Sequence, residues 1–319
     1  MSKVLVSGAG GFIGSHLVQK LLKEGHDVKA MVHYNSSGSN GWLDTFKHEA
    51  EIIRGDVRDQ SFIRRACGGV DTIFHLAALI GIPYSYQSPG SYIETNVRGT
   101  LNILEAAKDY EIRCMVTSTS ETYGSAQFVP MTEQHPANAQ SPYAASKVAA
   151  DALALSYYKS FNTPVTIVRP FNTYGPRQST RAFIPQIITQ LLSGATELKL
   201  GSLTPTRDLV FVEDTADAMY KIMQKKETIG ETINISTGYD HTIGDIANKL
   251  TQRISPSTII KQDKERMRPR KSEVTRLLGD NTKLKQRIIF NPRDLETGLI
   301  ETIEWFKENH HLYKEGYAV

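Results

Sequence analysis

Two residues spaced four apart, Tyr143 and Lys147, have side chains that could perform acid–base chemistry. Pro142 precedes them and is a favourable first residue of a helix, so both side chains are expected on one helical face. A lysine ammonium beside a phenol favours the phenolate and lowers the phenol pKa from about 10 toward neutrality. Such a pair could accept the proton of a hydroxyl while its carbon loses a hydride. The same spacing is common on ordinary amphipathic helices, so the interpretation depends on the rest of the chain.

A second chemical group lies in the segment STSETYG, residues 118–124, which follows the apolar run CMVT. Thr119 offers a hydroxyl at the end of a predicted strand, and Glu121 is a carboxylate among small hydroxyl side chains. The carboxylate is either a second base of the same site or a structural group that caps a nearby turn. The segment alone leaves both interpretations open.

The glycine-rich segment GAGGFIG, residues 8–14, follows the first predicted strand and opens the first predicted helix. Glycines let the chain turn tightly, let a phosphate approach the backbone and let the helix pack against the strand. The unpaired N–H groups and the positive end of that helix can then hold phosphate charge. We therefore predict a dinucleotide site with contacts from Gly8, Gly11, Phe12, Ile13 and Gly14.

The end of the second predicted strand does not decide which dinucleotide binds. NAD-binding chains usually have an acidic residue there, about 20 residues after the glycine motif, but this sequence has Val32. It also lacks the arginine that would accommodate the 2′-phosphate of NADP. His33 is the candidate contact beside Val32, and Asp56 after the third strand could contact the adenine or cap a turn. NAD and NADP both stay open on these residues.

Short apolar runs alternate with segments of helical period along the first half of the chain and would position these groups. The alternation predicts an α/β fold, a Rossmann-type doubly wound parallel sheet with helices on both faces. It predicts a first domain over residues 1–170 and a smaller lobe over 171–319, with segment 209–236 returning to the first sheet. The predicted elements are helices over 92–110, 142–161, 185–192 and 215–224, and strands over 113–117 and 165–168.

Composition limits the classes of function. The 319 residues include 37 Lys and Arg and 34 Asp and Glu, spread along the chain, with a formal net charge of +3. This balance argues against nucleic acid as a partner. Cys67 and Cys114 are too few for a disulfide framework, so we expect reduced thiols and no metal. We also expect no secretion signal, no membrane partner and a cytoplasmic location, because no apolar run approaches about 18 residues.

Six motifs, taken in order, resemble those of the extended short-chain dehydrogenase/reductases that act on nucleotide sugars. They are GAGGFIG, FHLAA, NVRGT, STSETYG, YAASK and RPFNTYGP. The resemblance covers nearly the whole chain. It implies a Rossmann domain for a nicotinamide cofactor and a smaller C-terminal lobe for the nucleoside diphosphate. By position it implies that Thr119 is the catalytic hydroxyl, Tyr143 the base and Lys147 its support.

The same resemblance implies further binding residues. Those for the cofactor are Val57, Leu76, Ala77, Ala78 and Asn96, together with Tyr143 and Lys147. Those for the substrate are Tyr84, Asn172, Arg177, Arg207 and Arg268. Guanidinium groups suit this role because their donors match phosphate oxygens in pairs.

The resemblance also implies a role for Glu121. In the 4,6-dehydratases of this family, a carboxylate removes the C5 proton of the sugar after C4 has become a ketone. The C6 hydroxyl leaves as water, and hydride returns to C6. The dTDP-glucose enzymes have Asp just before this glutamate, whereas this chain has Ser120. Its Thr-Ser-Glu triplet is similar to that of GDP-mannose 4,6-dehydratase, which implies that Glu121 is both base and acid, with Ser120 relaying a proton.

Longer segments are similar to the N-acetylglucosamine-nucleotide 4,6-dehydratases of the legionaminic-acid pathway and their neighbours in nonulosonate synthesis, including that of pseudaminic acid. They are IGIPYSY, SFNTPVTIVRPFNTYGPRQS and LGSLTPTRD. This similarity implies NAD as the cofactor. It leads to the hypothesis of an NAD-dependent UDP- or GDP-N-acetylglucosamine 4,6-dehydratase.

Several alternatives remain open. The chain could be a 5-epimerase, or an oxidoreductase that processes a 5,6-unsaturated sugar nucleotide, because both need a base directed at C5. A 4-epimerase, a simple reductase and a non-catalytic NAD-binding protein are further alternatives. The resemblance also implies a homodimer formed through the helices over 92–110 and 142–161. The nucleobase, the C2 substituent and the configuration at C5 are not determined by the sequence.

Overall fold

A parallel sheet forms the centre of the first lobe. The structure is a computed structural model that describes residues 1–263, 266–267 and 269–313. The strands of this sheet are β1 (Lys3–Ser7), β2 (Asp27–His33), β3 (Glu51–Gly55), β4 (Thr72–His75), β5 (Arg113–Thr117), β6 (Val165–Pro170) and β10 (Thr232–Ile235). Their order in space is β10-β6-β5-β4-β1-β2-β3, and every neighbouring pair is parallel.

Helices cover both faces of this sheet. They are α1 (Phe12–Lys23), α2 (Gln60–Ala66), α3 (Ile82–Gln87), α4 (Pro89–Tyr92), α5 (Gly99–Asp109), α6 (Pro142–Phe161) and α8 (Val212–Met223). Because alternate side chains of a strand point to opposite faces, Val4 and Val6 of β1 pack with α1 and α8. Leu5, between them, packs with α2, α5 and α6. The doubly wound α/β fold predicted from the sequence is therefore confirmed.

The second lobe contains two small sheets and four helices of the described chain. Its strands are β7 (Asn172–Tyr174), β8 (Glu197–Leu200), β9 (Thr206–Phe211), β11 (Asp240–Thr242), β12 (Ile259–Gln262) and β13 (Arg276–Leu277). Its helices are α7 (Phe183–Leu192), α9 (Ile243–Ile254), α10 (Thr282–Arg287) and α11 (Leu295–Asn309). Strand β9 pairs with β7, β11 and β13, and β8 pairs with β12. Helices α7, α9 and α11 share an apolar core with these strands.

Only part of segment 209–236 returns to the first sheet as predicted. Strand β10 forms the edge of the seven-stranded sheet beside β6, and α8 packs against α1. Strand β9, however, belongs to the second lobe, because it pairs with β7 and β11. The boundary between the two domains stays a proposal.

The predicted helix over 92–110 is interrupted in the structure. It consists of α4, a π-helical turn over Ile93–Arg98 and α5. The wider turn carries Asn96, whose side chain is hydrogen-bonded to the backbone of Leu79. Sequence periodicity could not indicate this, because a π-helical turn shifts the helical phase by one residue.

Two searches of the described residues bear on the class of protein. None of the helices in that part of the chain is long and apolar enough to cross a bilayer. Within the same residues, no group of three or more His, Cys, Asp or Glu side chains is arranged to hold a metal ion.

Candidate active site

The predicted site residues lie along one edge of the parallel sheet. Strands β1, β3, β4, β5 and β6 all end at this edge, and each is followed within two residues by a predicted contact. These contacts are Gly8, Asp56 and Val57, Leu76 to Ala78, Thr119 to Glu121, and Asn172. In doubly wound folds ligands bind in the crevice beyond the carboxyl ends of the strands. The topology alone therefore assembles the site.

The glycine loop has the form that a dinucleotide phosphate requires. Gly8 has a positive φ of 71°, a conformation that favours glycine. A Cβ atom on Gly14 would lie 2.2 Å from the Gly8 carbonyl oxygen, so helix and strand approach as closely as backbone allows. Gly11 is the N-cap of α1 and no side chain caps the helix there, which leaves its first N–H groups for an anion. These residues fit the pyrophosphate of a dinucleotide.

The two candidate contacts for the adenosine end are close together. His33, at the end of β2, is exposed, and its Nδ1 lies 3.8 Å from a carboxylate oxygen of Asp56. The Asp56 carboxylate also accepts hydrogen bonds from Nε and Nη2 of Arg58, and these bonds lower the pKa of Asp56. Asp56 is therefore a charged carboxylate, held by arginine at the rim of the cleft. Val32 is buried beside Gly10.

The segment after β4 is held in place from within the protein. Ser7 Oγ accepts hydrogen bonds from the N–H groups of Leu76 and Ala77. Asn96 was predicted to contact the cofactor, but its side chain is only 1% exposed. Its amide donates to the Leu79 carbonyl and to Ser146 Oγ and accepts from the Leu79 N–H. Asn96 thus fixes this segment against α6 and is not free to bind the cofactor directly.

Tyr143 and Lys147 lie in the first turns of α6, both nearly fully buried. The Lys147 ammonium donates to the carbonyl of Thr117 at 2.7 Å. Burial lowers the pKa of Lys147 to about 8, while the charge of Asp151 raises it. Burial raises the pKa of Tyr143 above its usual range, the hydrogen bond with Thr119 lowers it, and the charge of Glu121 raises it.

The sequence predicted a lowered phenol pKa, but without bound ligands the pKa of Tyr143 is raised. Removal from water disfavours the phenolate more than the neighbouring groups favour it, and the lysine ammonium is directed at a backbone carbonyl.

Glu121 lies in the 3₁₀ turn Ser120–Tyr123, which follows β5 directly. Thr119 is the N-cap of this turn, and its hydroxyl accepts a hydrogen bond from the Glu121 N–H at 3.2 Å. The Ser120 side chain is 2% exposed. Among residues 1–263, 266–267 and 269–313, the Glu121 carboxylate makes no hydrogen bond or ion pair, although its charge acts on Tyr143. The interpretation of Glu121 as a structural cap is therefore not supported.

The predicted substrate residues occupy different environments. Asn172 begins β7, and its buried Oδ1 has no hydrogen-bond partner in the described chain. Arg207, on β9, donates to the Thr206 carbonyl and lies 3.5 Å from the Glu273 carboxylate. The ring of Tyr84 is 6.2 Å from that of Tyr92, which in turn is 6.2 Å from the ring of Tyr143.

The two remaining residues predicted to bind the substrate are Arg177 and Arg268. The Arg177 guanidinium lies 4.7 Å from the centre of the Phe46 ring and donates to Ser15 Oγ. Arg177, whose backbone φ is 69°, is therefore packed against the start of α1, and its role as a substrate ligand stays a prediction. Arg268 lies outside the described residues.

Sequence reasoning missed two groups around Tyr143 and Lys147, namely Asp151 and His75. Asp151, one helical turn beyond Lys147, is 3% exposed and accepts two hydrogen bonds from Arg169. His75 is buried between Ser7 and Thr100, and burial lowers its pKa to about 3. Ser118 Oγ is buried without a partner in the described chain. The sequence had indicated Ser118 as part of a hydroxyl-rich strand end, and Asp151 had a signal in its position four residues after Lys147.

Comparisons with known proteins agree with this geometry. The sequence model of the family described as GDP-mannose 4,6 dehydratase matches residues 5–302. A UDP-N-acetyl-alpha-D-glucosaminuronate decarboxylase of Bacillus cytotoxicus is 33% identical, over 96% of this chain and 98% of its own length. Both span nearly the whole chain.

Solved structures are similar over the same extent. DesIV, a dTDP-glucose 4,6-dehydratase of Streptomyces venezuelae with NAD bound, has a TM-score of 0.88 and 30% identity, covering 98% of this chain and 99% of its own. TunA, an NAD-dependent NDP-hexosamine 5,6-dehydratase involved in tunicamycin biosynthesis, has a TM-score of 0.84 and 26% identity, covering 97% and 98%.

Proposed function

The chain belongs to the family described as GDP-mannose 4,6 dehydratase, among the extended short-chain dehydrogenase/reductases, and we propose that it is a 4,6-dehydratase of UDP- or GDP-N-acetylglucosamine. At the coarser level it is an NAD-dependent enzyme of the nucleotide-sugar dehydratase and epimerase class. The observation that carries the proposal is the Glu121 carboxylate, which is close enough to Tyr143 to raise its pKa and is unengaged within the described residues.

The first task of the site is to remove a proton from the sugar C4 hydroxyl. NAD, when bound, accepts the hydride from C4 and later returns it to C6. Tyr143 is placed to take the hydroxyl proton, with Thr119 hydrogen-bonded to it. Lys147 stays fixed by the Thr117 carbonyl and supplies positive charge on the same helical face. A ketone at C4 results.

The second task is the loss of water across C5 and C6. The C4 ketone acidifies the C5 proton, and Glu121 removes it as the C6–oxygen bond breaks. The glutamic acid so formed returns the proton to the departing hydroxyl, which leaves as water. Ser120 is adjacent and buried, and it can relay that proton. Hydride addition at C6 and a proton from water at C5 then give the 4-keto-6-deoxy sugar, and Tyr143 releases the C4 hydroxyl proton to water.

A 4-epimerase fits these residues less well. It returns hydride to the opposite face of C4 and needs no base directed at C5, so Glu121 would have no chemical role. A 5-epimerase, or an enzyme that forms or processes a 5,6-unsaturated sugar, is the second candidate, because it uses the same base. The similarity to TunA, described as a hexosamine 5,6-dehydratase, favours keeping it.

The proposal is tested by incubating the purified protein with UDP-N-acetylglucosamine, GDP-N-acetylglucosamine and UDP-N-acetylglucosaminuronate in parallel. Mass spectrometry of the products should show loss of one water from one of the first two, with NAD returned to its oxidised form. Loss of carbon dioxide from the third substrate, without dehydration of the others, would instead indicate a decarboxylase like the Bacillus cytotoxicus relative.

A further inference from the structure

The two tryptophans of the chain are in contact where the second lobe meets the first. Trp42 lies in the 3₁₀ turn Gly41–Thr45 that follows β2, and Trp305 lies in α11. Their ring centres are 5.6 Å apart, edge to face. Tyr313 completes the group, 5.7 Å from Trp42, and its hydroxyl donates to the Gln178 carbonyl. We call these three residues, Trp42, Trp305 and Tyr313, the aromatic clasp.

The clasp is joined directly to the glycine loop of the cofactor site. The backbone N–H of Trp42 donates to the carbonyl of Gly10 at 2.9 Å. A Cβ on Gly10 would lie 2.3 Å from the Asn40 carbonyl oxygen, and one on Gly41 would lie 2.4 Å from that of Gly10. The turn and the loop therefore touch through backbone, so a shift of Trp42 displaces Gly10, the residue before the N-cap of α1.

A second contact from the same lobe reaches the start of α1. The Arg177 guanidinium packs on Phe46, a neighbour of the clasp turn, and donates to Ser15 Oγ. The Nε2–H of His16 donates to the carbonyl of Pro176 at 3.1 Å. The start of α1 is thus held directly from the second lobe, and the glycine loop is held through Trp42, which contacts Trp305 of that lobe.

These contacts matter because the glycine loop and the first turn of α1 would bind phosphate through backbone groups. No side chain caps α1 at Gly11, and preorganised binding groups lose less entropy when a ligand binds. We infer that the aromatic clasp positions the glycine loop for NAD and slows its release, so that the contact between the two lobes and retention of the cofactor are coupled. Trp42, Trp305 and Tyr313 are positioning residues and not ligands.

The inference rests on NAD binding and on no particular sugar. Its test is the rate at which labelled NAD, preloaded on the protein, exchanges into excess unlabelled NAD in the absence of any sugar nucleotide. Failure of the proposed dehydration would leave this measurement intact. In W305A we expect exchange to be roughly tenfold faster, because the edge-to-face contact is lost. In W305F, which keeps an aromatic ring, exchange should stay within about twofold of the parent.

Two further measurements guard against an effect of misfolding alone. Y313A removes the clasp residue that lies nearest the end of the described chain, and it should also speed exchange while circular dichroism stays unchanged. In W42F the only tryptophan is Trp305 in α11, and its emission should change when NAD binds. Parental exchange rates in folded W305A and Y313A, or no response of Trp305 to NAD in W42F, would overturn the inference.

Discussion

At the scale of single residues, the site combines a buried phenol, a buried ammonium and an unengaged carboxylate. Tyr143 and Lys147 are both removed from water. Burial raises the pKa of Tyr143 and lowers that of Lys147, so the neutral form of each is favoured. Glu121 is half-buried. Pairs of titratable groups in different environments typically divide acid and base roles in a site. We assign the C4 hydroxyl to Tyr143 and the C5 proton to Glu121.

Replacement of Glu121 by Gln keeps the shape of the side chain and removes its basicity. We expect E121Q to lower the rate of dehydration by about 100- to 10,000-fold, the usual contribution of a general acid or base. Oxidation at C4 should persist, so reduced nicotinamide should accumulate and be visible in the absorbance spectrum. E308Q, on the exposed side of α11, is the matched control. Full dehydration by E121Q would show that another group removes the C5 proton.

The pH dependence of kcat/KM should follow the protonation of Lys147. Its pKa is lowered to about 8, so the ammonium loses its proton as the pH rises through that value, and kcat/KM should fall on the alkaline side. Because the charge of Asp151 raises this pKa, D151N should move the alkaline limb to lower pH. Steady-state rates across a pH series would measure both midpoints. An alkaline limb that does not move in D151N would exclude this role of Asp151.

At the scale of elements, the junction of β1 and α1 sets how closely a phosphate can approach. Alanine inside a helix normally stabilises it by about 1 kcal/mol relative to glycine. At Gly14 the opposite is expected, because the new Cβ would lie 2.2 Å from the Gly8 carbonyl oxygen. G14A should therefore weaken NAD binding by at least about tenfold, measured by calorimetric titration.

Gly90 provides the control for this prediction. It lies in α4, and a Cβ there would meet no heavy atom within 4 Å. G90A should bind NAD as the parent does and unfold at the same temperature or slightly higher. Equal NAD affinity in G14A and the parent would mean that the glycine loop and the start of α1 are not the phosphate site.

The helices and strands were predictable from the sequence, but the contacts between distant segments were not. Helix α6 and strand β5 have the predicted bounds, because a proline start and a continuous apolar run are strong local signals. The π-helical turn at Asn96 and the packing of Asn40 and Gly41 on Gly10 depend on contacts between distant segments. No pattern within a window of sequence reports such contacts.

At the scale of the whole molecule, we propose a homodimer that joins α5 and α6 of two chains. Tyr110 is 44% exposed just after α5, and Phe161 is 54% exposed at the end of α6. Large apolar side chains exposed on both helices favour an interaction surface there. Light scattering should give twice the chain mass, and F161E should reduce it to one chain mass, whereas F128E, at another exposed aromatic, should not. A monomer mass for the parent would contradict the proposal.

The sequence indicated which strand ends would meet, but not where every arginine side chain lies. The residues predicted after strands of the parallel sheet lie at one edge, because the topology brings those ends together, and their roles in the site stay predictions. The packing of Arg177 was not predictable, since it depends on Phe46 of the other lobe. Long side chains at lobe boundaries can reach either side, and only the packed structure decides between them.

The central claim, that Glu121 removes the C5 proton during 4,6-dehydration, is tested most directly by NMR of the sugar in deuterated water. The purified protein is incubated separately with UDP- and GDP-N-acetylglucosamine, and C4, C5 and C6 of the product are followed. The account predicts a 4-keto-6-deoxy product from one of them, with deuterium at C5 and the configuration at C5 retained, and no such product from E121Q. A sugar changed only in configuration at C4, with hydrogen kept at C5, would contradict it.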